Sequence, residues 1–560
     1  MTAPHRTPRA PNGRPITASL PERPQQQPPS PGNAAPPSPT PALDESFGAT
    51  WRNDLPAGIV VFLVALPLCL GIALASGAPM LSGLITGIVG GLVVSVLSGS
   101  QLMVSGPAAG LTAIVIAAIA ELGSFDRFLV AVVLGGALQV ALGFLRAGII
   151  GYFFPSSVIR GMLAAIGLIL ILKQLPYAFG AGIAPAGLDD TDPASSGGGG
   201  ALGTILSAVT GMRPLAVVLS VGALLVLAFW DRIAPAAVRK VVPGALVAVL
   251  IGVIGAAVGA FLPGFALPAA AMVSLPTPES LRDLASHIAL PQWSALSDPV
   301  VWRVALTLGI VASLETLLSL EATDKLDPFK RSAPANRELL AQGMGNMVAG
   351  AIGGLPMTGV IVRSSANIMA GARTWRSSFV HGVLLLVAVV AIPGLLNRIP
   401  LAVLAAILLF TGYKLANPKL FRDAWRLGPK YFVPFVVTVA AILATDLLVG
   451  ICIGLVVGTF FVLKDDYSHA YSYQVDESAD HKRVHLTLAE QVTFLNKARI
   501  NEALHRMPAG SHVTVDATRS KHIDPDVIEL LHEFHANARA RGISLRLVGV
   551  PTPAGAAAAH

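Results

Sequence analysis

Of the 560 residues, 53% are hydrophobic and 13% charged, about half the charge that a soluble domain carries, which excludes a chain that is water-soluble throughout. The formal net charge of +7 does not point to nucleic acid. Lys and Arg fall in the N-terminal tail, in short breaks between apolar runs and in the last stretch of chain, the distribution that orients a membrane protein.

Residues 1–45 are rich in Pro, Ala, Arg and Gln and lack the apolar core of a signal peptide, so they read as a disordered tail. From 46 to 466 long apolar runs alternate with short polar breaks, and a helix crossing a bilayer needs roughly 20 mostly apolar residues. The first candidate span is "LPAGIVVFLVALPLCLGIALASG", with Pro67 inside it. Further spans are predicted over 81–98, 128–146, 156–173, 214–230, 241–261, 299–321, 337–353, 377–396, 400–416, 431–445 and 447–464. Two segments are shorter and begin at a Pro/Gly break: "SGPAAGLTAIVIAAIA" from Ser105 and "LPMTGVIVRSSANIMAG" from Leu355. Counting these as half-crossings gives about 14 elements. "DLPAG" at Asp54 and "DPVVW" at Asp298 each open a run of seven elements, the faint symmetry that an inverted repeat leaves.

Loop charge gives the orientation. With the N-terminus inside, the inner loops carry Arg232, Arg239 and Lys240; Lys325, Lys330, Arg331 and Arg337; Arg373 and Arg376; Lys414, Lys419, Arg422, Arg426 and Lys430. The outer loop at 180–212 carries Asp189, Asp190 and Asp192. This is the positive-inside pattern; it places both termini in the cytoplasm and the protein in the cell (inner) membrane. Residues 471–550 read as a small cytoplasmic α/β unit, with "RVHLTLAE", "HVTVDAT" and "SLRLVGV" alternating as strands and "NKARINEALHRM" and "DPDVIELLHEFHANARARG" as amphipathic helices. Residues 551–560 read as a disordered tail. The two cysteines, Cys69 and Cys452, both lie inside apolar runs; they can neither staple a fold nor build a metal site, and read as buried small hydrophobes.

The two broken segments carry the functional argument. Bare backbone at mid-membrane is tolerated only where protein buries it or it lines a cavity, and paired interruptions in two halves of a chain point to a transporter binding site. A half-helix that starts there aims its free N–H groups at the cavity, equivalent to roughly +0.5 charge, so two together offer about one positive charge to a small anion. Arg363, just inside the second half-helix, adds a full charge. Glu315, well inside an apolar span, is a functional residue by default, and Ser319 shares its helix face one turn on. Carboxylate and hydroxyl together suit Na+; the protonated carboxyl suits coupling to H+. His381, at the start of a span, is read as interfacial.

"DLPAGIVVFLVALPLCLGIA", "GLITGIVGGLVVSVLSGSQLMVSGPAAGLTAIV", "SLETLLSLEATDKLD" and "NRELLAQGMGNMVAGAIGGLPMTGVIVRSSANIMAGART", followed by the tail unit, resemble in that order the SulP family of inorganic anion permeases over residues 50–550. The resemblance implies two intertwined inverted repeats of seven elements, a mobile core set and a gate set, an elevator-like movement and a homodimer. It also implies a substrate site made of Ala108 and Ala109 at the first half-helix, Gly359, Val360 and Ile361 at the second, Arg363 beside them, and Glu315 with Ser319 on the eighth element. The tail looks like a STAS domain, a fold shared with bacterial anti-sigma-factor antagonists, and so a possible dock for a cytoplasmic protein. Where those antagonists carry a phosphorylatable serine after an aspartate, this chain reads "HIDPDVIELL".

The leading expectation is therefore secondary transport of sulfate or bicarbonate, by symport with Na+ or H+ or by anion exchange, with no cofactor beyond a coupling ion. Two alternatives stay open: a nucleobase-type permease of the same architecture, and a membrane-tethered STAS scaffold with vestigial transport. With no Cys/His metal spacing, no G-x-S-x-G elbow and no phosphate loop, an enzyme is not expected.

Overall fold

The computed structural model describes residues 47–149, 155–181, 211–235, 238–239, 242–263, 265–277, 283, 286–445, 447–468, 470–476 and 483–552. The expectations for the tail at 1–45, the acidic loop at Asp189, Asp190 and Asp192, Lys240 and residues 553–560 lie outside the described residues.

The first half runs α1 (Phe47–Ala75), α2 (Met80–Leu97), a short strand β1 (Ser105–Pro107), α3 (Ala109–Leu122), α4 (Phe125–Phe144), α5 (Ser156–Phe179), α6 (Pro214–Ile233) and α7 (Gly244–Gly259). The second runs α8 (Pro299–Leu326), α9 (Ala335–Ala351), β2 (Met357–Gly359), α10 (Ile361–Met369), α11 (Arg376–Ala391), α12 (Leu401–Leu415), α13 (Pro429–Ala444) and α14 (Leu447–Ser468). In each half the third element is the broken one. Among the described residues seven helices are long and apolar enough to cross a membrane unaided, and five more are shorter and apolar.

The packing shows the halves intertwined. α2 of the first half lies on α11 of the second, and α9 of the second lies on α4 of the first. These are equivalent pairs under a seven-element repeat, and both are glycine crossings. A Cβ on Gly91 would collide with the Gly382 backbone, and one on Gly136 would sit 2.7 Å from the Gly343 carbonyl. Lipid offers no hydrophobic drive between helices, so this close backbone approach supplies the contact. α5, α12, α13 and α14 form the second packing group. Inside α13, the Thr438 hydroxyl donates back to the Pro434 carbonyl at 2.6 Å, which satisfies the buried hydroxyl within its own helix.

The two openings that looked alike differ. Asp298 caps α8, its carboxylate accepting the Val300 amide at 2.9 Å. α1 is instead already helical at Phe47, so Asp54 lies inside it, wholly buried. Its carboxylate accepts the amides of Arg373 (2.7 Å) and Thr374 (3.0 Å) and the Thr374 hydroxyl (2.5 Å). Asp54 thus ties α1 to the segment after α10 rather than starting a helix. Cys69 is buried as expected, whereas Cys452 is exposed, because it lies on an outer face of α14.

The tail unit carries a four-stranded sheet in the order β3 (Tyr471–Asp476), β4 (Arg483–Leu488), β6 (His512–Asp516), β8 (Ser544–Val548). β3 is antiparallel to β4, and the others are parallel. The short strands β5 (Gln491–Val492) and β7 (His522–Ile523) pair separately. α15 (Lys497–His505) and α16 (Pro525–Ala538) pack on the sheet over Leu486, Val515, Ile500 and Leu531. Asp524 caps α16, accepting the Asp526 amide at 3.0 Å, and Pro525 takes the first helical position, where its missing N–H costs nothing. At the end of β6 the Asp516 carboxylate accepts the Thr518 hydroxyl and amide at 2.7 and 2.8 Å, which holds it below the usual aspartate range.

Candidate functional site

The two broken segments meet. β1 and β2 pair antiparallel with Ser105 opposite Gly359, Gly106 opposite Thr358 and Pro107 opposite Met357. The Val360 amide continues the pairing, donating to the Val104 carbonyl at 2.9 Å. Each strand consumes backbone groups that lipid could not satisfy, and each then turns into a half-helix: α3 through a 3₁₀ turn at Ala109–Leu111, and α10 directly at Ile361. Because the strands are antiparallel, the two half-helices leave from opposite ends of the strand pair, which fixes one start relative to the other.

A second set of polar groups fixes that pair. The Asn346 amide nitrogen donates to the Met357 carbonyl (3.0 Å) and to Gln139 Oε1 (2.6 Å), while its oxygen accepts the Met357 amide (2.7 Å). Gln342 donates to Ser105 Oγ at 2.5 Å and to Glu338 at 2.9 Å. The buried Glu338 carboxylate also accepts from the Ser98 hydroxyl and from the amides of Gly99 and Ser100. Thr86 Oγ1 accepts the Leu355 amide at 2.6 Å. The Ser364 hydroxyl accepts the Val104 amide at 3.0 Å, and Asn367 donates to the Leu102 carbonyl at 3.0 Å. Glu338, Gln342 and Asn346 recur every fourth residue of α9, one helix face. The sequence signal for them is "NRELLAQGMGNMVAG", where polar side chains at a four-residue spacing interrupt a span.

In front of the helix starts is a cavity of about 260 Å³. Ala109, Gly359, Val360, Ile361, Arg363, Glu315 and Ser319 border it, so seven of the eight expected residues come together. Ala108 does not: it is 2% exposed and sits behind the 3₁₀ turn, its carbonyl accepting the Leu111 amide. Gly110 takes that place instead. A Cβ there would lie 2.6 Å from Glu315 Oε1, so the glycine is what lets the carboxyl stand against the first helix start. Glu315 Oε2 is buried and has no hydrogen-bond partner among the described residues. The opposite wall comes from Leu163 and Ile166 of α5 and from Leu408, Thr411 and Leu415 of α12, residues that no sequence motif marked.

Arg363 differs from the expectation in detail. It is wholly buried, and its guanidinium packs against Gly106 and the Cys69 thiol, with no carboxylate on it among the described residues. Its charge reaches the cavity through the protein rather than by an exposed contact. His381 is not interfacial: it is wholly buried in α11 near Arg363, with neither ring nitrogen hydrogen-bonded among the described residues.

Residues 51–438 match the sulfate permease family, and residues 475–560 match the Mlab, STAS domain family. The bicarbonate transporter BicA of Picosynechococcus sp. is 27% identical over 79% of this chain and 75% of its own length. The sodium-independent sulfate anion transporter of Bos taurus is 25% identical over 90% of this chain and 85% of its own. The structure of the murine anion transporter Slc26a9 in its inward-facing state superposes with a TM-score of 0.69 at 17% identity, covering 92% of this chain and 87% of that one; at that identity the likeness is one of fold.

Proposed function

The chain belongs to the sulfate permease family, a family of membrane anion transporters, and from that premise we propose that it carries sulfate or bicarbonate through the cavity between α3 and α10. The observation that carries this reading is the β1–β2 pairing, which sets two half-helix starts beside one cavity. Their combined dipoles are worth about one positive charge, and the wholly buried Arg363 adds to the same field.

Glu315 then requires an explanation, because a carboxylate in an anion site repels the cargo. Two unit charges about 4 Å apart interact by about 4 kcal/mol at an effective dielectric of 20. That opposition vanishes when the carboxyl takes up H+ or binds Na+ with help from Ser319. Glu315 accordingly makes symport with H+ or Na+ the reading we favour over exchange. The same proposal has both termini cytoplasmic in the inner membrane, on the loop charges, and a homodimer, on the family resemblance; particle mass in detergent tests the latter. Protein in liposomes is expected to take up labelled sulfate or bicarbonate faster when an inward H+ or Na+ gradient is imposed. Uptake of neither anion, or uptake indifferent to both gradients, contradicts the reading.

A further inference from the structure

The connection between α12 and α13 has no part in the transport site and a composition of its own. It contains a helix at Pro418–Arg426, started by Asn417, whose side chain accepts the Lys419 amide at 2.9 Å. One face buries Ala424 and rests Phe421 edge-on against Phe435 at 5.0 Å between centroids. The opposite face carries Lys419, Arg422 and Arg426, all exposed, at spacings that place them on one stripe. On one flank between the two faces, Trp425 meets Phe432 edge-on at 4.9 Å yet stays 68% exposed, and Leu427, just past the helix end, is 60% exposed. From 414 to 430 five residues are basic and Asp423 alone is acidic. Lys430 pairs with Asp465 near the end of α14, so this surface lies on the side of the membrane from which the tail unit departs.

Water gives no reason to leave an indole and a leucine bare among cations. The headgroup zone of a bilayer does: aromatic rings settle at that depth, and cations beside them meet lipid phosphate. The connection joins two spans, so it lies at that depth. We propose that the surface formed by Lys419, Arg422, Arg426, Trp425 and Leu427 docks anionic phospholipid headgroups of the phosphatidylglycerol type. Trp425 and Leu427 enter the acyl boundary, and the three cations take the phosphates. The placement has a consequence for transport. α12 contributes Leu408, Thr411 and Leu415 to the cavity wall, and the helix follows directly on its end, so a bound headgroup ties that wall to the plane of the bilayer.

The test is lipid binding by the full-length protein in detergent, read by native mass spectrometry during titration with phosphatidylglycerol and, separately, phosphatidylcholine. This readout does not depend on transport or on which anion is carried. Each cation near an anionic surface is worth about a fivefold gain in binding. K419Q/R422Q/R426Q is therefore expected to bind phosphatidylglycerol about 100-fold more weakly, with phosphatidylcholine binding unchanged. R422K/R426K keeps the charge and is expected to keep the preference, which separates lost charge from a damaged fold. The inference is overturned if wild type does not prefer phosphatidylglycerol, if the triple variant retains the preference, or if R422K/R426K loses it as fully as the triple variant. It is equally overturned if the cations prove to be covered by a co-purifying protein in place of lipid.

Discussion

A single methyl group at Gly110 tests the geometry of the cavity with little cost to the fold. In Gly110→Ala the new Cβ would stand 2.6 and 2.8 Å from the two Glu315 oxygens, where ordinary contact begins near 3.4 Å. The carboxyl must therefore retreat by about 0.6 to 0.8 Å. It is the free end of a flexible side chain with one oxygen unpartnered among the described residues, so it yields without disturbing backbone, and replacing glycine near a helix start adds up to about 1 kcal/mol of helix propensity. Thermal unfolding in detergent is expected to shift by no more than a few degrees, a change of about 1 kcal/mol or less. Function has less latitude, because a site holds its geometry to about 0.5 Å. Labelled anion uptake into liposomes is expected to fall at least tenfold, equivalent to about 1.4 kcal/mol. Full uptake, or a collapse of the unfolding temperature, would refute this reasoning: the first because Glu315 need not stand where it does, the second because Gly110 would be serving packing.

Three other outcomes follow from the same structure. Glu315→Gln mimics the protonated carboxyl permanently, so uptake is expected to be lost or to stop responding to an H+ or Na+ gradient while unfolding is unchanged; wild-type gradient-driven rates would remove its coupling role. Arg363→Met deletes a buried guanidinium that no carboxylate pairs among the described residues, so thermal stability is expected to hold or rise while anion affinity drops; a loss of about 3–5 kcal/mol would mean the charge is paired. Asn346→Ala strips both hydrogen bonds from Met357 and is expected to cost about 1–3 kcal/mol for each buried group left unsatisfied, read as a lowered unfolding temperature; an unchanged one would show that the strand pair does not depend on it.

Hydropathy alone located several spans to within a few residues, such as 81–98 against Met80–Leu97 and 447–464 against Leu447–Ser468, while 156–173 falls six residues short of Phe179. The first span departs most, because the polar stretch before Leu55 is helical and buries Asp54 against the segment after α10, a tertiary contact that no local pattern encodes. The Pro/Gly breaks were legible because a membrane punishes unpaired backbone, so an interruption there has few meanings. That the breaks pair as strands was not legible, since Ser105–Pro107 and Met357–Gly359 are too short to show alternation. Glu315 and Ser319 stood out by their cost in lipid. Leu408 and Thr411 did not, because an apolar wall of a cavity and an apolar face toward lipid look the same in sequence. Arg363 was visible as a charge, but its burial beneath Gly106 depends on where the other half of the chain lies.

The most direct test is equilibrium binding of labelled sulfate and bicarbonate to purified protein, wild type against Val360→Trp, which fills the cavity in front of the two helix starts. The account predicts saturable binding of at least one of the two anions by wild type and none by the tryptophan variant, with both proteins unfolding at similar temperatures. Undiminished binding by a folded Val360→Trp protein would place the anion elsewhere and contradict it.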